Sequence, residues 1–251
     1  FQPTADDIIK ISDCDIFIYT GGESDEWVED ALANARNKNI KILNMLDVIA
    51  DSAVEEEVKE GMDEKHNHDD GHDTEYDEHI WLSLNNAEKC VSEIWKAVYS
   101  ADEENSALYT NNAKQYIDEI KNLDSDFHTL FDDNPQTLIF GDRFPFRYFT
   151  EDYGLDYYAA FSGCSADTEA SFETITFLSQ KVDELNSGTV FTIENSDCAV
   201  ADAVIANTKS KSQNTAVLDS IQSVNSAQIE DGATYLGIMN KNYDILNEAF
   251  R

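Results

Sequence analysis

Four of the chain's five histidines fall within sixteen residues, in the stretch HNHDDGHDTEYDEHIW that runs from His66 to Trp81. His66, His68 and His72 stand in an H-x-H-x3-H spacing among acids. Two or three imidazoles so spaced, with a neighbouring carboxylate, can hold Zn2+ in its preferred four-coordinate shell. A calcium loop is excluded: with Gly71 at the sixth position, His66 and His68 fall where Asp or Asn is needed. The plain alternative for this run is a solvated charged face. The reading adopted here is a low-affinity collector of metal ions. His79 is different. It stands two residues before Trp81, at the start of a helix-like run, with Asp77 and Glu78 just upstream. Either carboxylate could take the proton of one ring nitrogen and leave the other nitrogen for a metal.

The rest of the chain must position that histidine. Lys plus Arg number 17 and Asp plus Glu 51, so the formal charge is −34. Such a field repels nucleic acid and anionic membrane and attracts cations. Hydrophobic residues make up 41% of 251, enough for packed cores in one large domain or two lobes. No apolar run reaches the roughly 20 residues that cross a bilayer. The chain opens at Phe1 with no signal peptide in view, and reads as an N-terminally truncated piece of an exported protein.

Periodicity gives the elements. CDIFIYTGG and IKILNML are apolar runs that read as buried strands, and SDEWVEDALANARNK between them has helical spacing, with Ser24 as a candidate cap. That is a βαβ unit, which calls for a parallel sheet. From Asp51 to Glu78 periodicity vanishes, and thirteen acids face two lysines. Helical spacing returns at IWLSLNNAEKCVSEIWKAVYSA, and the next segment, SALYTNNAKQYIDEIKNLDSDFHTLFDD, keeps it over about six turns as one long helix. His128 in that helix reads as a surface histidine. Strand and helix then alternate four times. The expected fold is α/β: two lobes, each a parallel sheet flanked by helices, joined by one long rigid helix. The boundaries expected are 1–101 for an incomplete first lobe carrying the loop 51–78, 102–134 for the connecting helix, and 135–251 for the second lobe. Ligands of parallel sheets bind beyond the carboxyl ends of the strands. The carboxylates there are Asp142, Glu194 and Asp219, with Glu194 read as a hydrogen-bonding residue. Phe144, Phe146, Tyr148 and Phe149 read as core.

These segments carry a resemblance. YDEHIWLS resembles the D-x-H-x-W-L motif of the zinc- and manganese-type substrate-binding proteins of bacterial ABC transporters. The His/Asp-rich run before it resembles the loop of zinc-uptake members. FQPTADDIIKISDCDIFIYTGGESDEWVED and DRFPFRYFTEDYGLDYYAAFSGCSADTEASFETI resemble further stretches of the same family, so the likeness runs from Phe1 to Arg251.

The resemblance implies two α/β lobes joined by a long helix, with a metal ion in the cleft between them. It implies His79 as one ligand and Asp219 as another. A first histidine ligand would lie two residues before Phe1, outside this chain. At the third ligand position the ungapped alignment puts Arg143. Arginine keeps its proton and has no lone pair to give. Either the adjacent Asp142 serves instead, or Arg143 holds Asp219 or closes the cleft. The imidazoles favour Zn2+, while the carboxylates keep Mn2+ as the alternative.

The function this implies is an extracellular metal receptor, a cell-surface lipoprotein or periplasmic protein, that delivers its ion to an ABC permease. The expected partners are the divalent ion and that permease, with no nucleic acid, membrane contact only through a lipid anchor outside this chain, and a monomeric state. Two alternatives are a metal-dependent hydrolase and a surface metal buffer or adhesion-type protein acting through the loop. Against an enzyme, the chain has no H-E-x-x-H, G-x-S-x-G or P-loop. The cysteines are Cys14, Cys90, Cys164 and Cys198, with no C-x-x-C; Cys164 and Cys198 are the pair that could form a disulfide.

Overall fold

A computed structural model of the chain describes residues 3–62, 76–132, 136–165 and 169–251. It divides into two compact units, Phe1–Glu55 with Thr74–Asn122, and Glu56–Asp73 with Leu123–Arg251.

The first unit starts with α1 (Ala5–Asp13), opened by a capping box in which Thr4 and Asp7 satisfy each other's backbone N–H. Then come β1 (Ile16–Tyr19), α2 (Trp27–Ala33), β2 (Lys41–Asn44) and the short α3 (Met45–Val48). β1 and β2 pair in parallel, Ile16 opposite Lys41. The strands are less buried than their apolar runs predict: Ile18 is 42% and Ile42 49% exposed, because among the described residues the sheet has two strands only. Ser24 does not cap α2. It lies in a 3-10 turn, Glu23–Asp25, and its N–H donates to Glu78 Oε1 at 2.9 Å. The turn after β1 requires glycine. At Gly22, with φ of 84°, a Cβ would lie 2.3 Å from that same Glu78 oxygen. α4 (Leu84–Ala101) packs on β2 and α3, and Lys41 Nζ donates to Ala97 O to tie strand to helix. α5 (Ser106–Phe131) follows, 26 residues and about 39 Å long at 1.5 Å per residue. Its residues up to Asn122 belong to the first unit and those from Leu123 to the second.

The second unit contains β3 (Thr137–Phe144), α6 (Arg147–Tyr153), β4 (Asp156–Ser162), α7 (Phe172–Leu185), β5 (Thr189–Ile193), α8 (Ala199–Asn207), β6 (Asn214–Leu218), α9 (Ser226–Glu230) and α10 (Tyr235–Ala249). Its four strands are all parallel, in the order β4-β3-β5-β6. On one face, Ile139, Phe161, Leu178, Val182, Val190 and Val204 form a dry cluster. Aromatic rings supply further core: Phe127 meets Phe149 edge-on at 5.0 Å, and Phe144 stacks on Tyr157 at 3.6 Å. Phe144, Phe146, Tyr148 and Phe149 are all buried, as their pattern predicts. Removing a ring as enclosed as Phe127 costs about 3–5 kcal/mol.

Two features of this unit bear on the site. First, β3 does not end at Gly141 as the glycine suggests. It runs on to Phe144 through an irregularity in the pairing between Phe140 and Arg143. Gly141 is there because α8 lies against it: a Cβ would come within 2.4 Å of Ala201 Cα. Second, residues 56–62 run as a strap beside β4, the outer strand. Lys59 pairs with Asp156 and sits over the Tyr157 ring, while Glu57 accepts the Tyr157 hydroxyl at 3.0 Å and pairs with Arg147 at 3.0 Å.

Candidate metal centre

His79 is prepared by its neighbours in sequence. Glu55 and Tyr76 pair as an antiparallel bridge, and Asp77 N–H donates to Val54 O at 2.9 Å. These bonds fix the backbone that leads into the 3-10 turn Ile80–Leu82, and Ser83 then caps α4 by accepting the Asn86 N–H. His79 is 4% exposed and Asp77 2%. Asp77 Oδ1 lies 2.9 Å from His79 Nδ1 and also accepts the His79 backbone N–H at 2.7 Å. A carboxylate accepts and does not donate, so Nδ1 carries the ring proton and Nε2 keeps the lone pair. Of the two carboxylates the sequence left open, Asp77 orients the ring, and Glu78 is engaged with Ser24. Trp81 meets the imidazole edge-on at 5.6 Å. A ligating imidazole commonly has such a carboxylate on its other ring nitrogen, which makes His79 a candidate ligand.

The carboxylates of the second unit gather at the carboxyl ends of its strands. Asp142 sits in the irregular stretch of β3, between Phe140 and Arg143. Its Oδ1 accepts the Arg143 N–H at 2.8 Å, and its Oδ2 is a buried atom with no hydrogen-bond partner. Buried acceptors are nearly always satisfied. An unsatisfied buried carboxylate oxygen is a candidate cation ligand. Beside it lies a cavity of about 240 Å3, lined among others by Asp142, Arg143, Glu194, Asn195, Ser196 and Asp197. Arg143 Nη1 donates to Ser165 O at 3.3 Å. Among the described residues it makes no ion pair with Asp219, so it does not hold that carboxylate.

Asp219 follows β6. Burial pushes its carboxyl above the ordinary carboxylate value, and the nearby Glu194 charge adds to the rise. Glu194 takes two hydrogen bonds from Ser220, the hydrogen-bonding role its position suggested. Asn242, which reaches the Asp219 backbone from α10, was missed in the sequence. Its signal was a polar residue on the apolar stripe of Met239 and Leu246. Among the described residues, no three His, Cys, Asp or Glu side chains already stand together as a metal cluster. His66, His68 and His72 lie outside the described residues. His128 is a surface residue between Asp124 and Asp132. Cys164 and Cys198 carry free thiols and form no disulfide.

The family described as "ZnuA: Zinc-uptake complex component A periplasmic" matches residues 1–249. The chain belongs to this family. ZnuA-family proteins are binding components of metal uptake systems rather than enzymes. The chain is 28% identical over 98% of its length to the zinc-binding protein AdcA of Streptococcus pyogenes serotype M3, and spans about half of that relative, 48%. It is 27% identical to the high-affinity zinc uptake system protein ZnuA of Bacillus subtilis, over 99% of this chain and 76% of that one. Among solved structures, it is similar to the metal-dependent lipoprotein YcdH of Bacillus subtilis. There the TM-score is 0.75 at 25% identity, covering all of this chain and 85% of the other. That ZnuA-like architecture agrees with the α/β fold described above, parallel sheets flanked by helices with one long helix.

Proposed function

We propose that this chain captures a divalent metal ion outside the cytoplasm and passes it to the permease of an ABC uptake system. Zinc is the ion favoured, with manganese as the alternative. The observation that carries the reading is His79: a buried imidazole whose Nδ1 is taken by Asp77 and whose Nε2 is left to coordinate. Asp219 and Asp142 are the carboxylate ligands proposed with it, and Arg143 stays outside the coordination shell. Membership of the zinc-uptake family and the zinc-binding names of its relatives support the choice of metal. The net charge of −34 supports a cation as cargo and argues against an anionic partner. His66, His68 and His72 are proposed as a weaker collecting set beside this site.

The test is titration calorimetry with Zn2+ and Mn2+ on the protein, on His79→Ala and on a variant lacking residues 63–75. One tight zinc site that His79→Ala abolishes and the deletion spares supports the reading. Tight binding that survives His79→Ala but disappears with the loop overturns it in favour of a surface metal buffer.

A further inference from the structure

Arg143 is a half-buried charge without a counter-ion. The chain has four arginines. Arg36 pairs with Asp13 at 2.9 Å, and Arg147 pairs with Glu57 at 3.0 Å and Glu151 at 2.9 Å. Arg251 is exposed and donates to Asn247. Arg143 makes no ion pair among the described residues, in a chain that holds 51 acids. Its guanidinium makes one hydrogen bond there, from Nη1 to Ser165 O at 3.3 Å. A guanidinium keeps its charge at any working pH and carries five donors in a planar fork that matches an oxyanion. Most of that fork is uncommitted.

Arg143 and Asp142 line one cavity of about 240 Å3 without pairing with each other. Asp142 Oδ1 accepts the backbone N–H of Arg143, not its guanidinium, and Oδ2 has no partner. The other two carboxylates of the cavity are engaged elsewhere. Glu194 spends both oxygens on Ser220, and Asp197 Oδ1 accepts the Ala199 N–H at 2.9 Å. Asn195, Asp197 and Ser223 in the lining are exposed, so the cavity is reached from solvent. Its wall thus offers one free cation and one free carboxylate oxygen, side by side in sequence and not neutralising each other. Such a wall is matched by a ligand that carries both signs.

We propose that this cavity takes its metal ion together with a small carboxylate-type anion, held by the Arg143 fork and giving an oxygen to the ion beside Asp142. The inference rests on the metal-capture function proposed above. A fork-to-carboxylate contact is a charge-assisted, two-bond one. Three carboxylates against one guanidinium leave the wall two charges negative, so an anion alone is repelled and enters with the metal or after it. Coupling between two ligands is reciprocal: if the metal admits the anion, the anion tightens the metal. Arg143 then contributes to capture without being a ligand itself.

The experiment is zinc titration calorimetry of the full chain in carbonate-free buffer, and in the same buffer with bicarbonate, acetate or chloride added at equal ionic strength. Bicarbonate or acetate is expected to raise the zinc affinity by about 5–150-fold, the usual span of such coupling. Chloride, which cannot span the fork, is expected to leave it unchanged. A rise with bicarbonate alone assigns the anion to dissolved carbonate, and a rise with acetate as well assigns it to organic acids. Arg143→Gln, with its melting temperature measured alongside, is expected to lose the rise and to melt no lower than the wild type. Zinc complexes free in the buffer are the same for both proteins, so the difference between them reads the cavity. A wild-type affinity that is the same in every buffer, a rise that chloride reproduces, or a rise that persists in Arg143→Gln overturns this inference and leaves the capture function standing. A wild type that binds no zinc in any buffer overturns both.

Discussion

A single oxygen of Asp77, Oδ1, takes both the ring Nδ1 of His79, at 2.9 Å, and the backbone N–H of the same residue, at 2.7 Å. The carboxylate therefore fixes the ring and the backbone that bears it at once. Asp77→Asn keeps the shape and an acceptor but removes the charge that strengthens the imidazole as a ligand. Zinc affinity is expected to fall by about 10–100-fold, with the fold intact by circular dichroism. An unchanged zinc isotherm would mean that the pair serves the fold and not the metal.

Asp142 gives a sharper test because its two roles have opposite signs. A buried, unpartnered carboxylate oxygen costs the metal-free protein stability. Asp142→Asn is expected to raise the melting temperature of the metal-free protein and to weaken zinc binding at least tenfold. Lower metal-free stability with untouched zinc affinity would return Asp142 to a structural role.

The strap on the second unit should be sensitive to acid. Burial pushes the Asp156 carboxyl up, but the Lys59 ammonium and the Tyr157 N–H outweigh it, and the group is held below its ordinary 3.8. A depressed carboxyl contributes stability above its unfolded value and loses it as pH falls towards the folded one. Lys59→Ala is expected to cost about 1 kcal/mol at pH 7, since the exposed ion pair and the ring contact are each modest. The deficit should shrink below about pH 4. Urea melts of both proteins at pH 7 and pH 3.5 would check this, and a deficit undiminished at low pH would rule out the ion pair as a contributor.

The thiols should separate by reactivity. Burial raises the Cys90 thiol to about 11, so at pH 8 about one molecule in a thousand carries the reactive thiolate there. Cys164 is exposed. A maleimide is expected to label Cys164 first and Cys90 only on unfolding, as peptide mapping by mass spectrometry would show. Early labelling of Cys90 would contradict its placement in the packed face of α4.

Much of this arrangement could be read from residue order. Apolar runs closed by Gly or by a polar cluster marked all six strands among the described residues, and the 3.6 period marked α4, α5, α7 and α10. What escaped depended on contacts distant in sequence. Gly141 looks like the end of a strand, yet its freedom serves the approach of Ala201, sixty residues on. Thr4 and Asp7 form a capping box that the acidic run after it disguised. At the candidate site, the motif singles out His79, but the partner that orients its ring could not be read from it. Asp77 and Glu78 are chemically alike and adjacent, and only the turn at Gly22, which brings Ser24 to Glu78, separates their roles. The backbone of Ile221, with φ of 64°, left no trace in sequence at all, because nothing in an isoleucine announces a positive φ.

The strap has one more consequence. β4 is one of the two edge strands of the four-stranded sheet, and edge strands recruit foreign chains by offering unpaired backbone groups. Lys59 bonds the Tyr157 carbonyl, and Glu56 takes the N–H of Cys164 just past the strand's end. Residues 56–62 thus cover the β4 edge of the sheet. Shortening the acidic loop from its far side keeps that cover, and cutting it at its root would leave the edge of β4 open to a foreign strand.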